Sequence, residues 1–421
     1  MTRILPFRAL HYDPARVDFA KVIAPPYDVI AAEERALLYD RDPHNAIRLE
    51  LTRDVADEAE TDYSEIRETL AAWRARGVLV RDAEPALYAL RQSFALPDGS
   101  AHTRESFYAL LHLEDYARRI VRPHERTLAG PKADRLKVLR AARANLSPVF
   151  LLYEDREQDL APRLRAAARP PFAVARDTSG TLHELARVDA PDAVRAALDF
   201  LAERPVVIAD GHHRYETALA FRDERRAAGD AAPEAPHEWI LACFANAFAP
   251  GTLLLPIHRL VCKGSVPTAA AWRERLPGWQ QREVPLPDPG AIDAALARHL
   301  APLADRHAFA VDDATGTLRI FWRERAAGEL GVRVLHREVI EGVFGLDEAA
   351  VREGAIAYPK SAAQTARDLR AGRGIVALYL NPLRPDDVFR VTAAGEVLPQ
   401  KSTFFTPKLP TGLVFRTLEE P

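Results

Sequence analysis

Residues 204–229, RPVVIADGHHRYETALAFRDERRAAG, constrain the fold more than any other stretch. The opening RPVVIAD is short, apolar and β-branched, which predicts a buried strand. The following RYETALAFRDERRAAG carries Tyr215, Ala218, Leu219 and Phe221 at helical spacing and stops near Gly229. Asp210, Gly211, His212, His213 and Arg214 therefore fall on the turn and the first helical turn. Backbone N–H groups there have no partner inside the helix and attract anions. Glycine lets a backbone approach a ligand closely. Arginine can hold a phosphate through two parallel hydrogen bonds, and histidine can move a proton near neutral pH. Gly211, His212 and Arg214 thus form a candidate phosphate grip, with Asp210 and His213 as candidate catalytic groups. Asp210 as a plain helix N-cap is the structural alternative, compatible with anion binding.

The rest of the chain alternates strands and helices, which predicts an α+β fold with mixed sheets and flanking helices. EPALYALRQSFAL and AHTRESFYALLHLE, separated by PDGS, read as a hairpin. HNAIRLELT reads as a strand between two helical patterns. HEWILACFANAFAPGTLLLPIHRLV reads as two strands joined at Pro250-Gly251, a second hairpin. With 421 residues, three segments are expected: an α/β region over 1–155, a phosphate-binding region over 156–265, and an α/β region over 266–421. The tail 399–412 is expected to return to the site.

Three further stretches carry chemistry-bearing residues. RPHERTLAGPKADR gathers His124, Glu125, Arg126, Lys132 and Arg135 around Gly130-Pro131. His124 and Glu125 are candidate general bases; Lys132 and Arg135 are candidate anion binders. APPYDVI places Tyr27 and Asp28 after a rigid proline pair, as candidate substrate contacts. PQKSTFFTPKLPTG offers Lys401, Ser402, Thr403 and Lys408 to phosphate, without the glycine pattern of a P-loop.

Other chemistries are disfavoured. The formal net charge is -3, which gives no general argument for nucleic acid or membrane surfaces. The two cysteines, Cys243 and Cys262, sit in apolar runs without CxxC spacing, so neither structural zinc nor a thiol nucleophile is expected, and a reducing cytoplasm is. No GxSxG elbow or GxGxxG fingerprint occurs. Asp210, His212 and His213 make a poor metal set, because adjacent histidines point apart on a helix.

APPYDVI, PHERT with PKADR, DGHHRYETAL and LPQKSTFFTPKLPTGL occur in that order along the chain. Together they resemble the domain-of-unknown-function 1015 family. The strand-DGHHR-helix unit resembles the phosphate-binding motif of the ParB/sulfiredoxin-like fold. It is most similar to the version in archaeal free-serine kinases, which use ADP or ATP. That resemblance implies that Asp210, Gly211, His212, His213 and Arg214 hold nucleotide phosphates. It also implies a separate glutamate base; no position here matches it, and Glu125 and Glu50 are the candidates, Glu50 also as a substrate contact. The expectation is a small-molecule phosphotransferase. It would use ATP or ADP with Mg2+ to phosphorylate free serine, or run the reverse reaction on phosphoserine. No metal bound by the protein alone, nucleic acid or membrane is expected. A nucleotide-independent phosphoserine phosphatase and a nucleotide-binding regulator without transfer are the alternatives.

Overall fold

The computed structural model describes residues 1–53, 61, 63–125, 129–326, 328–359, 361–399 and 401–419. The fold is α+β, with mixed sheets and flanking helices. The chain forms two compact units. Unit 1 comprises Met1–Leu253, Val391–Val397 and Phe405–Pro421; unit 2 comprises Leu254–Arg390 and Leu398–Phe404.

Unit 1 is organised by a nine-stranded sheet. Its order is Val121–Pro123, Val206–Asp210, Val149–Tyr153, Trp239–Asn246, Ala101–His112, Leu87–Ala95, Leu182–Val188 and Ala173–Arg176, with Ile4–Leu5 also on Ala101–His112. Strands from both the 1–155 and the 156–265 segments enter this one sheet. Val206–Asp210 runs parallel to Val121–Pro123 and antiparallel to Val149–Tyr153. The pairing of Leu87–Ala95 with Ala101–His112 is the hairpin that PDGS predicts. One face of the sheet packs Phe107, Leu151, Ile208 and Phe244 against Leu201, Tyr215 and Ala218 from helices Pro191–Ala202 and His212–Ala227. Burying each such side chain contributes about 1.5–3 kcal/mol, which anchors the start of the second helix.

Two expectations fail here. HNAIRLELT contains the short helix Ile47–Glu50 rather than a strand. Asn45 accounts for it: its amide donates to the Lys21 carbonyl and its oxygen accepts from Ile47 N–H, starting a turn where alternation alone suggested extension. Trp239–Asn246 and Leu253–Leu255 do not form a hairpin. The first strand is already flanked on both sides, by Ala101–His112 and Val149–Tyr153.

Unit 2 holds a six-stranded sheet, ordered Gln280–Pro285, Thr317–Arg323, His307–Asp312, Val376–Leu380, Arg259–Val261 and Ile356–Ala357, with every pairing antiparallel. Apolar clusters form around Trp272, Phe309 and Phe321, and around Leu318, Ile320 and Tyr379. Burial, with Arg259 adding to it, pushes His258 down to about 3 and His336 to about 4. Both folded values lie below the unfolded histidine value. Their contribution is therefore complete above about pH 6.5 and is lost as pH falls toward 4 and then 3, by about 1.4 kcal/mol per pH unit for each ring. Urea unfolding of the full chain should show unit 2 weakening between about pH 7.5 and 5.5, and weakening less in His258→Gln. Equal midpoints at the two pH values in the parent chain would refute this.

Candidate functional site

The strand Val206–Asp210 delivers its last residue to the sheet edge, and Gly211 turns the chain into the 16-residue helix His212–Ala227. Gly211 has φ 89° and ψ 27°, a left-handed conformation that disfavours side chains. A Cβ there would also meet Arg214 Nε at 3.0 Å. Gly211 itself is the N-cap, and no side chain caps the helix. Asp210 does not cap it; its carboxylate accepts from Lys408 Nζ at 2.8 Å and lies 3.6 Å from Arg214 Nη2. Burial would raise the Asp210 carboxyl, but Lys408 and Arg214 outweigh it and hold it well below the usual carboxylate range.

Arg214 Nη1 donates to the Pro148 carbonyl. Its Nε is buried and has no hydrogen-bond partner among the described residues. The side chain lines a cavity of about 50 Å³ with Glu50, Arg135 and Thr217. That is room for a few waters at about 10–15 Å³ each, or for a small polar group. Arg135 is committed inside this wall. It is buried, pairs with Glu50 Oε2 at 3.2 Å and Asp134 Oδ2 at 2.5 Å, and lies 4.2 Å from the Tyr27 ring centre. Burial pushes the Tyr27 hydroxyl up to about 12, against the opposing charges of Arg214 and Arg135. Glu50 also accepts from Thr411 Oγ1 at 3.3 Å. Tail residues 408 and 411 thus meet Asp210 and Glu50, so part of the tail stands at this turn.

His212 and His124 stack edge to face, with ring centres 4.6 Å apart. His212 Nε2 accepts from the His124 backbone N–H at 3.3 Å, and its Nδ1 lies 3.5 Å from Glu125 Oε1. These contacts assign the proton to Nδ1, facing Glu125. Burial, with His124 adding to it, holds His212 neutral, well below its ordinary value. His124, Glu125 and His212 offer ligand atoms within 4.8 Å of one another. With His212 Nε2 already accepting and Nδ1 protonated, this arrangement suits a proton path better than a cation. His213 is half-buried; burial lowers it, against Glu216, Glu125 and Asp28. Lys132 donates to Glu216 at 2.8 Å, bridging helix Ala129–Ala142 to the DGHHR helix.

The turn thus brings Asp210, Gly211, His212, His213, Arg214, His124, Glu125 and Lys408 together. Tyr27, Glu50 and Arg135 surround the cavity beside Arg214, while Asp28 is exposed on the His213 side. Lys401, Ser402 and Thr403 belong to unit 2. Arg126 lies outside the described residues.

The sequence reading passed over Arg104. It is fully buried, 4.5 Å above the Phe150 ring centre, and both Nε and Nη2 donate to Gln92 Oε1. Its Nη1 has no partner among the described residues. Burial pushes Arg104 down to about 10, against Asp210 among others. Phe150 is the register partner of Asp210, so this unneutralised guanidinium stands behind the turn. Its only visible signal is a charged residue in the middle of the apolar strand AHTRESFYALLH.

A sequence model described as "Protein of unknown function (DUF1015)" matches residues 4–310. The chain belongs to the DUF1015 family. The DUF1015 match includes the DGHHR turn, His124, Glu125 and Arg104, and ends before Lys408. Among solved structures, the chain is similar to a free serine kinase mutant in complex with ADP, at 13% identity and TM-score 0.34, covering 73% of this chain and 92% of that one. It is also similar to a conserved hypothetical protein from Pyrococcus furiosus (16%, TM-score 0.35, 74% and 96% covered). A third is SbnI with C-terminal truncation from Staphylococcus aureus (12%, TM-score 0.35, 74% and 89% covered). No curated protein matches the sequence. Among the described residues, no helix is long and apolar enough to cross a membrane.

Proposed function

We propose that unit 1 is a nucleotide-dependent phosphotransferase acting on a small hydroxyl substrate, free serine, or on phosphoserine in reverse. The observation that carries the reading is the uncapped, left-handed Gly211 turn with Arg214 and Lys408 ordered on one ionised carboxylate. It presents open N–H groups, a guanidinium and an ammonium to a phosphate. Arg104 adds positive potential from behind, where low dielectric strengthens it. Serine as substrate rests on the likeness of the DGHHR run to that of free-serine kinases.

In the forward direction the serine hydroxyl oxygen attacks the terminal phosphorus of ADP or ATP. The bond from that phosphorus to the bridging oxygen breaks, AMP or ADP leaves, and the hydroxyl proton passes to a base. Asp210 is unsuited to take it, because Lys408 and Arg214 hold it strongly ionised. Glu125 is the better base: its side chain is 36% exposed and can pass a proton toward His212. Asp28 and Glu125 both act on His213, and such carboxylates fit a nucleotide-bound Mg2+, which needs one or two of them. The ion would offset phosphate charge; the protein's cations and N–H groups position the reacting atoms.

The test is phosphate transfer by the purified chain with Mg2+, serine or phosphoserine, and ATP, ADP or no nucleotide. Interconversion that requires nucleotide is expected. Phosphoserine turnover without nucleotide would replace the reading with a phosphatase. Nucleotide binding without transfer would replace it with a regulator. Glu125→Gln should lower kcat by about 10²-fold or more while KM stays within about threefold, as for loss of a general base. An unchanged kcat would remove Glu125 from the chemistry.

A further inference from the structure

Unit 2 contains a second cluster that the phosphotransferase reading does not use. A cavity of about 40 Å³ is lined by Arg259, Arg306, Arg325 and Arg384, with Asp387 and Ser402. Four guanidiniums thus face one carboxylate. Asp387 is shared, accepting from Arg325 Nη2 at 3.1 Å and lying 3.8 Å from Arg384 Nε; outside the lining, Arg390 Nη2 also donates to it at 3.1 Å. Arg306 pairs only with Glu324, which is 80% exposed, so that contact neutralises little.

Arg259 is the informative residue. It is 1% exposed. Its Nη1 donates to the Ile257 carbonyl and its Nη2 to the Lys401 carbonyl at 3.2 Å. Its Nε has no partner among the described residues. No ion pair to a carboxylate is found for it among the described residues, so a buried positive charge is compensated only by carbonyl dipoles and the Tyr358 ring, 5.3 Å away. Burial pushes Arg259 down to about 10. Buried charges are normally paired, and a cavity flanked by one that is not calls for an anion. Size narrows its class. About 40 Å³ holds a few waters, which matches a tetrahedral oxyanion and is far below sites of a few hundred Å³ that take drug-sized ligands.

We propose that the arginine cavity of unit 2 is a binding site for a phosphate group, either inorganic phosphate or the head of a phosphomonoester. Arg259 forms its floor, and Arg306, Arg325 and Arg384 form its walls. It shares no residue with the turn in unit 1.

The experiment is equilibrium dialysis of the full chain against labelled inorganic phosphate and, in a second arm, labelled methyl phosphate, at fixed ionic strength. Arg214→Ala is used as background to weaken the unit 1 grip. Phosphate is expected to remain bound in that background. Its dissociation constant should rise at least tenfold in Arg384→Gln, a half-exposed wall position, and in Arg259→Met, with circular dichroism confirming the fold. Equal binding of both probes assigns the site to phosphomonoester heads; preference for inorganic phosphate assigns it to the free ion. Loss of all binding in Arg214→Ala alone, or binding unchanged by both Arg384→Gln and Arg259→Met, would overturn the proposal.

Discussion

Arg214→Ala should lower kcat/KM for nucleotide-dependent transfer by about 10²- to 10³-fold, the usual effect of deleting one donor aimed at developing negative charge. The fold should tolerate the change. Asp210 keeps Lys408 at 2.8 Å, so no buried carboxylate is stranded. The bond lost within the protein is that to the Pro148 carbonyl. Arg214→Lys is the sharper comparison. It retains charge but lacks the planar fork, so it should recover only part of the loss. Steady-state rates with Mg2+, nucleotide and serine measure both variants. A drop below about threefold in Arg214→Ala would mean that the turn holds something other than the transferred phosphate.

Gly251→Ala should destabilise unit 1 by about 2–3 kcal/mol, the upper range for overpacking. An alanine Cβ there would stand 1.7 Å from the Thr103 carbonyl oxygen and 2.3 Å from its carbon. Neither atom can rotate aside, because both belong to the backbone of the strand Ala101–His112. That strand pairs with Trp239–Asn246 and carries Arg104 one residue later. The loop or the strand must therefore move, and the hydrogen bonds from Arg104 to Gln92 would move with it. Urea unfolding followed by tryptophan fluorescence gives the midpoint. A change within about 0.5 kcal/mol, the scale of a surface substitution, would show that the loop yields freely.

These two sites also show what the sequence could tell. The DGHHR junction was legible because strand, glycine and helix follow one another with no tertiary help. The PDGS hairpin was legible for the same reason. Gly251 was read as the tip of a hairpin because Pro-Gly between apolar runs suggests a turn; its close approach to Thr103 spans 148 positions and leaves no local trace. Asp210 looked like a helix cap because its partner Lys408 comes 198 residues later. Arg104 looked like a surface residue on an alternating strand, until a sheet neighbour on each side enclosed it. Side chains whose role depends on a distant partner need the fold before they can be assigned.

The ion pair between Asp210 and Lys408 also sets an order of events during synthesis. The DGHHR strand and helix can form as soon as they leave the ribosome, yet the turn then has an arginine and an aspartate without the ammonium that holds them in register. Until translation passes Lys408, Asp210 has only Arg214 to oppose its burial. A nascent chain halted between unit 1 and that lysine is expected to carry a folded but ungripped turn, so competence arrives late and all at once.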